Sequence, residues 1–370
     1  MKKRYILWML FLTFVFCPIT GQAEEKSADP LERLQQVYEE NGGNATGFSL
    51  REEVEKILSG ETEFSPSDLL HSFLDQVSKQ WNEQKSDFIK LLILGILTGF
   101  CANLSQTLGD EGLGAVSFYV IYGVLCSIVL AGFRQVYDLA QEGVEGVFSF
   151  AGALVPSFAL ALGISGSSTA ALGYYETMLI VISVMRWGLK SIFLPLVEIY
   201  FMLKILEPVT KGRFLRLAGL CKSLVTLGLK GILTVVLGYQ GLQGLILPVM
   251  DQVKNNGILT AAKSVPGVGN LVGGAAQTLV GSTMLIKSAI GVGGVIGFVC
   301  VVFYPLLKMG IFTCFYKVAQ ALVQPVSSGG FCVAVAAAGE CGKLLFQCLF
   351  YSTILFSLAI LILLLATNLL

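Results

Sequence analysis

The chain is poor in charged residues: Asp, Glu, Lys and Arg make up 14% of its 370 residues, whereas 54% are hydrophobic. Soluble domains carry about 25% charged residues, which cover their water-facing surface. A chain with so few charges leaves much of its surface apolar, and that surface must face lipid. The composition therefore excludes an ordinary soluble globular protein and predicts an integral membrane protein.

Histidine is almost absent, since His71 is the only one and it lies outside the long apolar segments. A catalytic set that pairs a nucleophile with a histidine cannot be formed there. The nine cysteines include no CxxC pair, and none lies in residues 24–87, so each is expected to be a small buried hydrophobe. We therefore predict a protein that is not an enzyme and that holds no metal and no cofactor.

The few charges divide unevenly along the chain. Residues 24–87 contain fifteen Asp or Glu and six Lys or Arg, a net charge of −9, whereas residues 88–370 have a net charge of +6. Residues 1–23 combine a basic start, an apolar stretch and small residues before Ala23, which is typical of a cleaved signal peptide; a retained anchor helix is the alternative. We predict a signal peptide over 1–23, a small acidic helical extracytoplasmic domain over 24–87 and a polytopic membrane domain over 88–370.

Helix signals recur in the acidic domain. Ser49 and Glu52 form a capping box, and Gly60 ends the segment that follows. Ser65-Pro66 begins another helix, with proline at the first helical position. This helix could run directly into the membrane near Phe88.

Apolar segments that approach the length of a membrane span follow one another after residue 88. A spanning helix needs about 20 such residues, and the pattern predicts an all-α transmembrane bundle of about seven or eight membrane helices. Re-entrant segments are an open alternative for some of them. The predicted segments are 88–107, 114–133, 148–165, a hairpin of two helices within 172–206, 231–249, 286–307, a shorter segment 309–323, and 344–370.

Basic residues cluster after the predicted hairpin. The cluster comprises Lys204, Lys211, Arg213, Arg216, Lys222 and Lys230, with Glu207 as its only acid. Because basic loops stay in the cytoplasm, this segment is predicted to be cytoplasmic. With the acidic domain outside and three spans before it, the segment 172–206 must turn back as a hairpin to satisfy this rule.

Glycine is abundant between residues 266 and 297. Two pairs have GxxxG spacing, and we single out Gly267, Gly269, Gly273, Gly274, Gly293 and Gly297. Glycines at this spacing let membrane helices approach closely, which predicts tight helix packing. A broken or re-entrant segment that lines and gates a path is the alternative. Neither glycine group matches a nucleotide-binding motif.

Charged residues inside apolar segments are costly in lipid and are therefore candidates for function. They are Glu176, Arg186, Lys190 and Glu198. Arg186 and Lys190 lie one helical turn apart, so they are expected either at the tip of the hairpin in water or paired with Glu176 or Glu198 inside the bundle. In the second case they would orient helices or line a pore. Glu142 and Glu145 are expected in a solvated loop.

Four stretches of the sequence resemble one known family. They are AAKSVPGVGNLVGGAAQTLVGSTMLIKSAIGVGGVIG (261–297), PLLKMGIFTCFYKVAQALVQPV (305–326), GECGKLLF (339–346) and EIYFMLKILEPV (198–209). They resemble the stage III sporulation protein AE family, and the order of signal, acidic domain and membrane domain fits as well. The resemblance therefore covers nearly the whole chain.

This resemblance implies a role in endospore formation. Members of the family belong to a secretion-like complex that connects the mother cell and the forespore, together with an ATPase, ring-forming proteins and small membrane subunits. The resemblance implies a multi-pass channel or export-gate subunit in the mother-cell-derived outer forespore membrane, with the lipid bilayer and no nucleic acid as further partners. A self-contained secondary transporter and a membrane scaffold that conducts nothing are the alternatives.

Overall fold

The computed structural model describes residues 30–40, 66–108, 111–164, 168–263, 269–325, 327 and 329–368. Within these ranges the chain is helical apart from short turns and bends, and no strand occurs, which confirms the all-α prediction. The signal peptide and the helix expected between Ser49 and Gly60 lie outside the described residues.

The described residues form a series of helical elements. They are α1 (Pro30–Glu40), α2 (Pro66–Leu108), α3 (Glu111–Ile164), α4 (Ser168–Gly188), a π-helical turn (Leu189–Phe193), α5 (Leu194–Ile205), α6 (Glu207–Thr210), α7 (Leu215–Lys263), α8 (Gly269–Val323) and α9 (Gly329–Asn368). As predicted, α2 begins at Pro66 and continues past Phe88 without a break.

Five of the described helical segments are long and apolar enough to cross a membrane, so the predicted count of seven or eight is not confirmed. They are Phe118–Pro156, Tyr175–Ile205, Leu215–Gln243, Ile296–Val323 and Gly329–Leu361. Segments predicted as separate spans have merged, because 114–133 and 148–165 both lie in α3, and 286–307 continues into 309–323 within α8. The shorter segment 309–323 is therefore the end of a long helix.

The charged stretch between the two halves of α3 is helical because its charges are spaced for one helix face. Arg134 and Asp138 lie four residues apart and form an ion pair of 3.2 Å between Nε and Oδ1. Such pairs belong to the surface of a helix. The prediction of a solvated loop at Glu142 and Glu145 was therefore wrong.

The predicted hairpin within 172–206 was also wrong. α4, the π-helical turn and α5 form one continuous helical run, with Gly188 and Leu194 both in right-handed helical conformation. Proline in a helix normally clashes with the carbonyl group four residues earlier. For Pro195 that carbonyl belongs to Ser191, which lies in the wider π-helical turn, so the chain accommodates this proline without reversing its direction.

The long helices pack around α3 and α9. α3 contacts α2, α4, α8 and α9, and α9 also contacts α5, α7 and α8. Stacked and edge-on aromatic rings fill the space between the helices, with ring centroids 3.8 Å apart for Phe133 and Phe201 and 5.6 Å apart for Phe148 and Phe356. The interior around these rings is therefore a packed apolar core.

Glycines allow the helices of this core to approach closely. A Cβ atom placed on Gly294 of α8 would lie 2.7 Å from Leu154 Cδ1 of α3, and one on Gly342 of α9 would lie 2.7 Å from Thr313 Oγ1 of α8. Gly297 is also buried. Tight packing or gating at the other glycines singled out above, Gly267, Gly269, Gly273, Gly274 and Gly293, stays a prediction.

Candidate functional site

Two cations and one carboxylate meet where α3 packs against the π-helical turn. The Arg186 guanidinium and the Lys190 ammonium each form an ion pair with the Glu145 carboxylate, and the three side chains are 31–49% exposed. Arg186 and Lys190 thus share one acidic partner, but it is neither of the two acids that the sequence analysis named. That partner is Glu145, which had been expected in a loop, rather than Glu176 or Glu198.

The π-helical turn holds Lys190 at this contact. Arg186 lies in the last turn of α4, and Lys190 is the second residue of the π-helical turn. π-Helical turns are uncommon and occur often at functional sites, because they cost backbone stability and persist where a side chain must be placed. Here the turn coincides with the ion-paired group, which makes Glu145, Arg186 and Lys190 the first candidate site. We call these three residues the central cluster.

A polar stripe on α3 extends the central cluster along one face of the helix. Arg134, Asp138, Gln141, Glu142 and Glu145 recur at spacings of three and four residues, so they lie on one side of α3. The first four are exposed or half-buried, with Arg134 69% and Asp138 48% exposed. We call these five residues the α3 stripe.

The other two charges singled out from the sequence lie apart from this group. Glu176 is exposed on α4. Glu198 on α5 is half-buried and interacts with Tyr137 of α3. Neither is among the ion pairs of the central cluster, so the four predicted membrane charges do not form one site.

A second polar group joins α5, α7 and α9. The Glu340 carboxylate accepts hydrogen bonds from the Tyr200 hydroxyl and from Lys222 Nζ, the latter at 2.9 Å. The Tyr200 side chain is almost fully buried, whereas Lys222 and Glu340 are half exposed. The sequence analysis missed this group, although Glu340 is the only acidic residue in α9 and an isolated acid in an apolar helix requires a partner.

The basic segment between α5 and α7 forms a tight turn. Lys204 pairs with Glu207 at 2.9 Å, and Lys211 and Gly212 follow with positive φ angles of 52° and 78°. Arg213 and Arg216 are exposed. A cavity of about 420 Å³ lies beside this turn, lined by Phe118 of α3, Lys211, and Gly329 and Gly330 of α9, among others.

In the part of the chain that the structure describes, no three His, Cys, Asp or Glu side chains are grouped as ligands for a metal ion. What the arrangement offers chemically is fixed charge and hydrogen bonding at the surface and between apolar helices.

Comparisons with known proteins agree on one family. The family described as Stage III sporulation protein AE matches residues 48–367. The stage III sporulation protein AE of Bacillus subtilis (strain 168) is 24% identical over 319 residues, which cover 85% of this chain and 79% of that relative. No solved structure is significantly similar to the chain.

Proposed function

The chain belongs to the stage III sporulation protein AE family, and on that premise we propose that it is a non-enzymatic, polytopic subunit of the secretion-like complex connecting mother cell and forespore. In this complex it contributes to the channel or export gate. Family membership and the five long apolar helices support a membrane protein of sporulation. The role in transport is the further step proposed here.

The central cluster is the observation that carries this proposal. Glu145 lies within the apolar segment Phe118–Pro156, and Arg186 and Lys190 lie near the middle of Tyr175–Ile205. A charged side chain at the centre of a bilayer costs about 2.5–3.5 kcal/mol on insertion scales, and such residues mark ion paths, substrate paths and partner contacts. A scaffold held only by apolar packing has no need of this group.

Alternating helix directions support the predicted orientation. α2 is not among the five candidate spans, but it contains the segment 88–107 that the sequence predicts as one. If α2, α3 and the α4–α5 run each cross the membrane once, an acidic domain outside leaves the turn at Lys211 in the cytoplasm. This is where the positive-inside rule puts it. The sequence analysis divided α3 into two spans and folded 172–206 into a hairpin. Each error adds one crossing, so together they leave the turn on the same side of the membrane. We propose that the turn meets the ATPase of the complex, and that the acidic domain lies between the two forespore membranes.

Sporulation in a strain that lacks its own copy of the protein tests the proposal. We expect the double variant Arg186→Gln and Lys190→Gln to reach normal abundance but to yield fewer heat-resistant spores, because the central cluster has lost both cations. Lys343→Gln, at an exposed lysine of α9, is the matched control and should sporulate normally. A full spore titre in the double variant would contradict a role of the central cluster.

Reconstitution separates a subunit from a self-contained transporter. Purified alone in liposomes, the chain should move no solute until its partner subunits are added. Specific solute uptake by the chain alone would replace the proposed function with that of a permease.

A further inference from the structure

We infer that the α3 stripe, together with Arg186 and Lys190, faces water within the membrane and forms one wall of an aqueous path that further copies of the chain complete. The inference rests on the proposed function, because it says where the path of that channel runs. It concerns the outer surface of the chain rather than its interior.

The exposed carboxylates of the stripe carry the first step. Lysine and arginine can extend along apolar surface and place their charge in distant water. Aspartate and glutamate are too short to do so. Glu142 is nevertheless exposed, and Asp138 is 48% exposed even though its carboxylate pairs with Arg134. Both lie within the apolar segment Phe118–Pro156. Exposed carboxylates at such a position are compatible with water or a polar partner and incompatible with lipid.

The stripe lies near the centre of the candidate spans, away from their ends. Gly143 of α3 packs beside Pro305 of α8 and Leu349 of α9, since a Cβ atom on Gly143 would lie 3.2 Å from Pro305 Cβ and 3.0 Å from Leu349 Cδ2. Both contact residues lie well inside their own apolar segments, Ile296–Val323 and Gly329–Leu361. A bilayer centred on these segments therefore surrounds the stripe.

A path along the α3 stripe lies outside the packed core of the chain. The helices behind the stripe are joined by buried rings such as Phe133 and Phe201, whose centroids are 3.8 Å apart. The α3 stripe and the two cations of α4 and the π-helical turn remain on the outer side. A single copy thus supplies one wall, and the path is incomplete without another protein surface opposite it.

The charge of the wall indicates that the opposite surface is a second copy. Arg134, Arg186 and Lys190 balance Asp138, Glu142 and Glu145, so the wall has no net charge. Three cations lie beside three acids, so the wall is complementary in charge to itself, and the acids of one copy can face the cations of another across water. Since both signs are equally represented, the path would admit hydrophilic solutes without selecting between anions and cations.

Cysteine accessibility in intact membranes tests the inference. Asp138→Cys and Glu142→Cys probe the stripe, and Val184→Cys is the matched control. Val184 is 54% exposed and lies only two residues before Arg186, so the two residues lie at nearly the same depth in the membrane. It projects from α4 at an angle of about 200° from Arg186 and is therefore expected to face lipid. The reagents are a charged, membrane-impermeant methanethiosulfonate and the permeant N-ethylmaleimide, with the parent chain as background for native cysteines such as the exposed Cys314.

We expect the charged reagent to modify Asp138→Cys and Glu142→Cys at least tenfold faster than Val184→Cys, because a reaction with the thiolate needs water. Equal reaction at all three positions would mean that this whole level lies in water, and the inference fails. No reaction at the stripe would mean that lipid or protein covers it, and the inference fails as well.

The mass of the full chain in nanodiscs tests the second part. More than one copy per disc is expected, and a uniform single copy would overturn a wall shared between copies. These outcomes are separable from the proposed function. If the stripe does not react but the Arg186→Gln and Lys190→Gln variant still loses spores at normal abundance, the path is placed wrongly and the function stands.

Discussion

Truncation of Glu340 should destabilise the fold through the groups that it leaves behind. Its carboxylate holds two donors: the Tyr200 hydroxyl, whose side chain is 1% exposed, and Lys222 Nζ at 2.9 Å. In Glu340→Ala the Lys222 ammonium can turn toward solvent because it is half exposed. The buried Tyr200 hydroxyl cannot follow, and leaving such a group without an acceptor costs about 1–3 kcal/mol.

The ion pair adds a smaller amount. A solvent-exposed pair contributes about 0.2–1 kcal/mol, and truncating one partner of a desolvated pair costs about 3–5 kcal/mol. Because Lys222 and Glu340 are each more than 40% exposed, we use the lower range. We therefore expect Glu340→Ala to lower the free energy of unfolding by about 1–4 kcal/mol in total.

A reversible unfolding assay of the purified chain in mixed micelles measures this free energy. Glu340→Ala, Lys222→Met and the double variant form a cycle, and the coupling energy of the pair is expected to be about 1 kcal/mol or less. Lys343→Gln, one turn further along α9, is the control and should stay within about 0.5 kcal/mol of the parent. If Glu340→Ala is no less stable than Lys343→Gln, the hydrogen bond to Tyr200 does not contribute as the structure implies.

Three further predictions concern α7 and the basic turn. Gln240 is 3% exposed and neither polar atom of its side chain has a partner, so Gln240→Leu should stabilise the chain by about 1–3 kcal/mol in the same assay. Gln243→Leu should destabilise the chain by a similar amount, about 1–3 kcal/mol, because it removes hydrogen bonds of 2.9 Å to the Gly173 carbonyl and the Thr177 hydroxyl. If both substitutions changed the free energy of unfolding in the same direction and by the same amount, the argument from hydrogen-bond partners would be refuted. Reversing Arg213 and Arg216 to Glu should lower sporulation by disturbing topology or partner docking, measured as spore titre with a protease-protection assay, and normal values in both would rule out a role of the turn.

The all-α class could be predicted from composition and hydropathy. A low content of charge indicates a chain in lipid, and there helices are the main way to satisfy the hydrogen bonds of the backbone. The start of α2 could be predicted as well, since Pro66 carries its own local signal. The number of membrane helices could not. A hydropathy pattern detects apolar stretches of about 20 residues, but it does not tell whether a charged stretch between two of them is a loop or one polar face of a longer helix, as at Arg134 and Asp138.

The central cluster could be found from the sequence only in part. Arg186 and Lys190 lie four residues apart, and their shared face was visible from that spacing. Their partner Glu145 is 41 residues away from Arg186, and only the antiparallel packing of α4 on α3 brings the two together. The same holds for Glu340, which lies 118 residues from Lys222. Pairing across such separations depends on helix register, which a single sequence does not contain.

The lengths of the helices set how far this protein reaches. α3 contains 54 residues and α8 contains 55, and at about 1.5 Å per residue each is about 80 Å long. The headgroup-to-headgroup thickness of a bilayer is about 40–45 Å. If these helices stand straight and upright in the bilayer, roughly half of each extends beyond it. We expect the parts of these helices that extend beyond the bilayer to be covered by neighbouring subunits of an assembly.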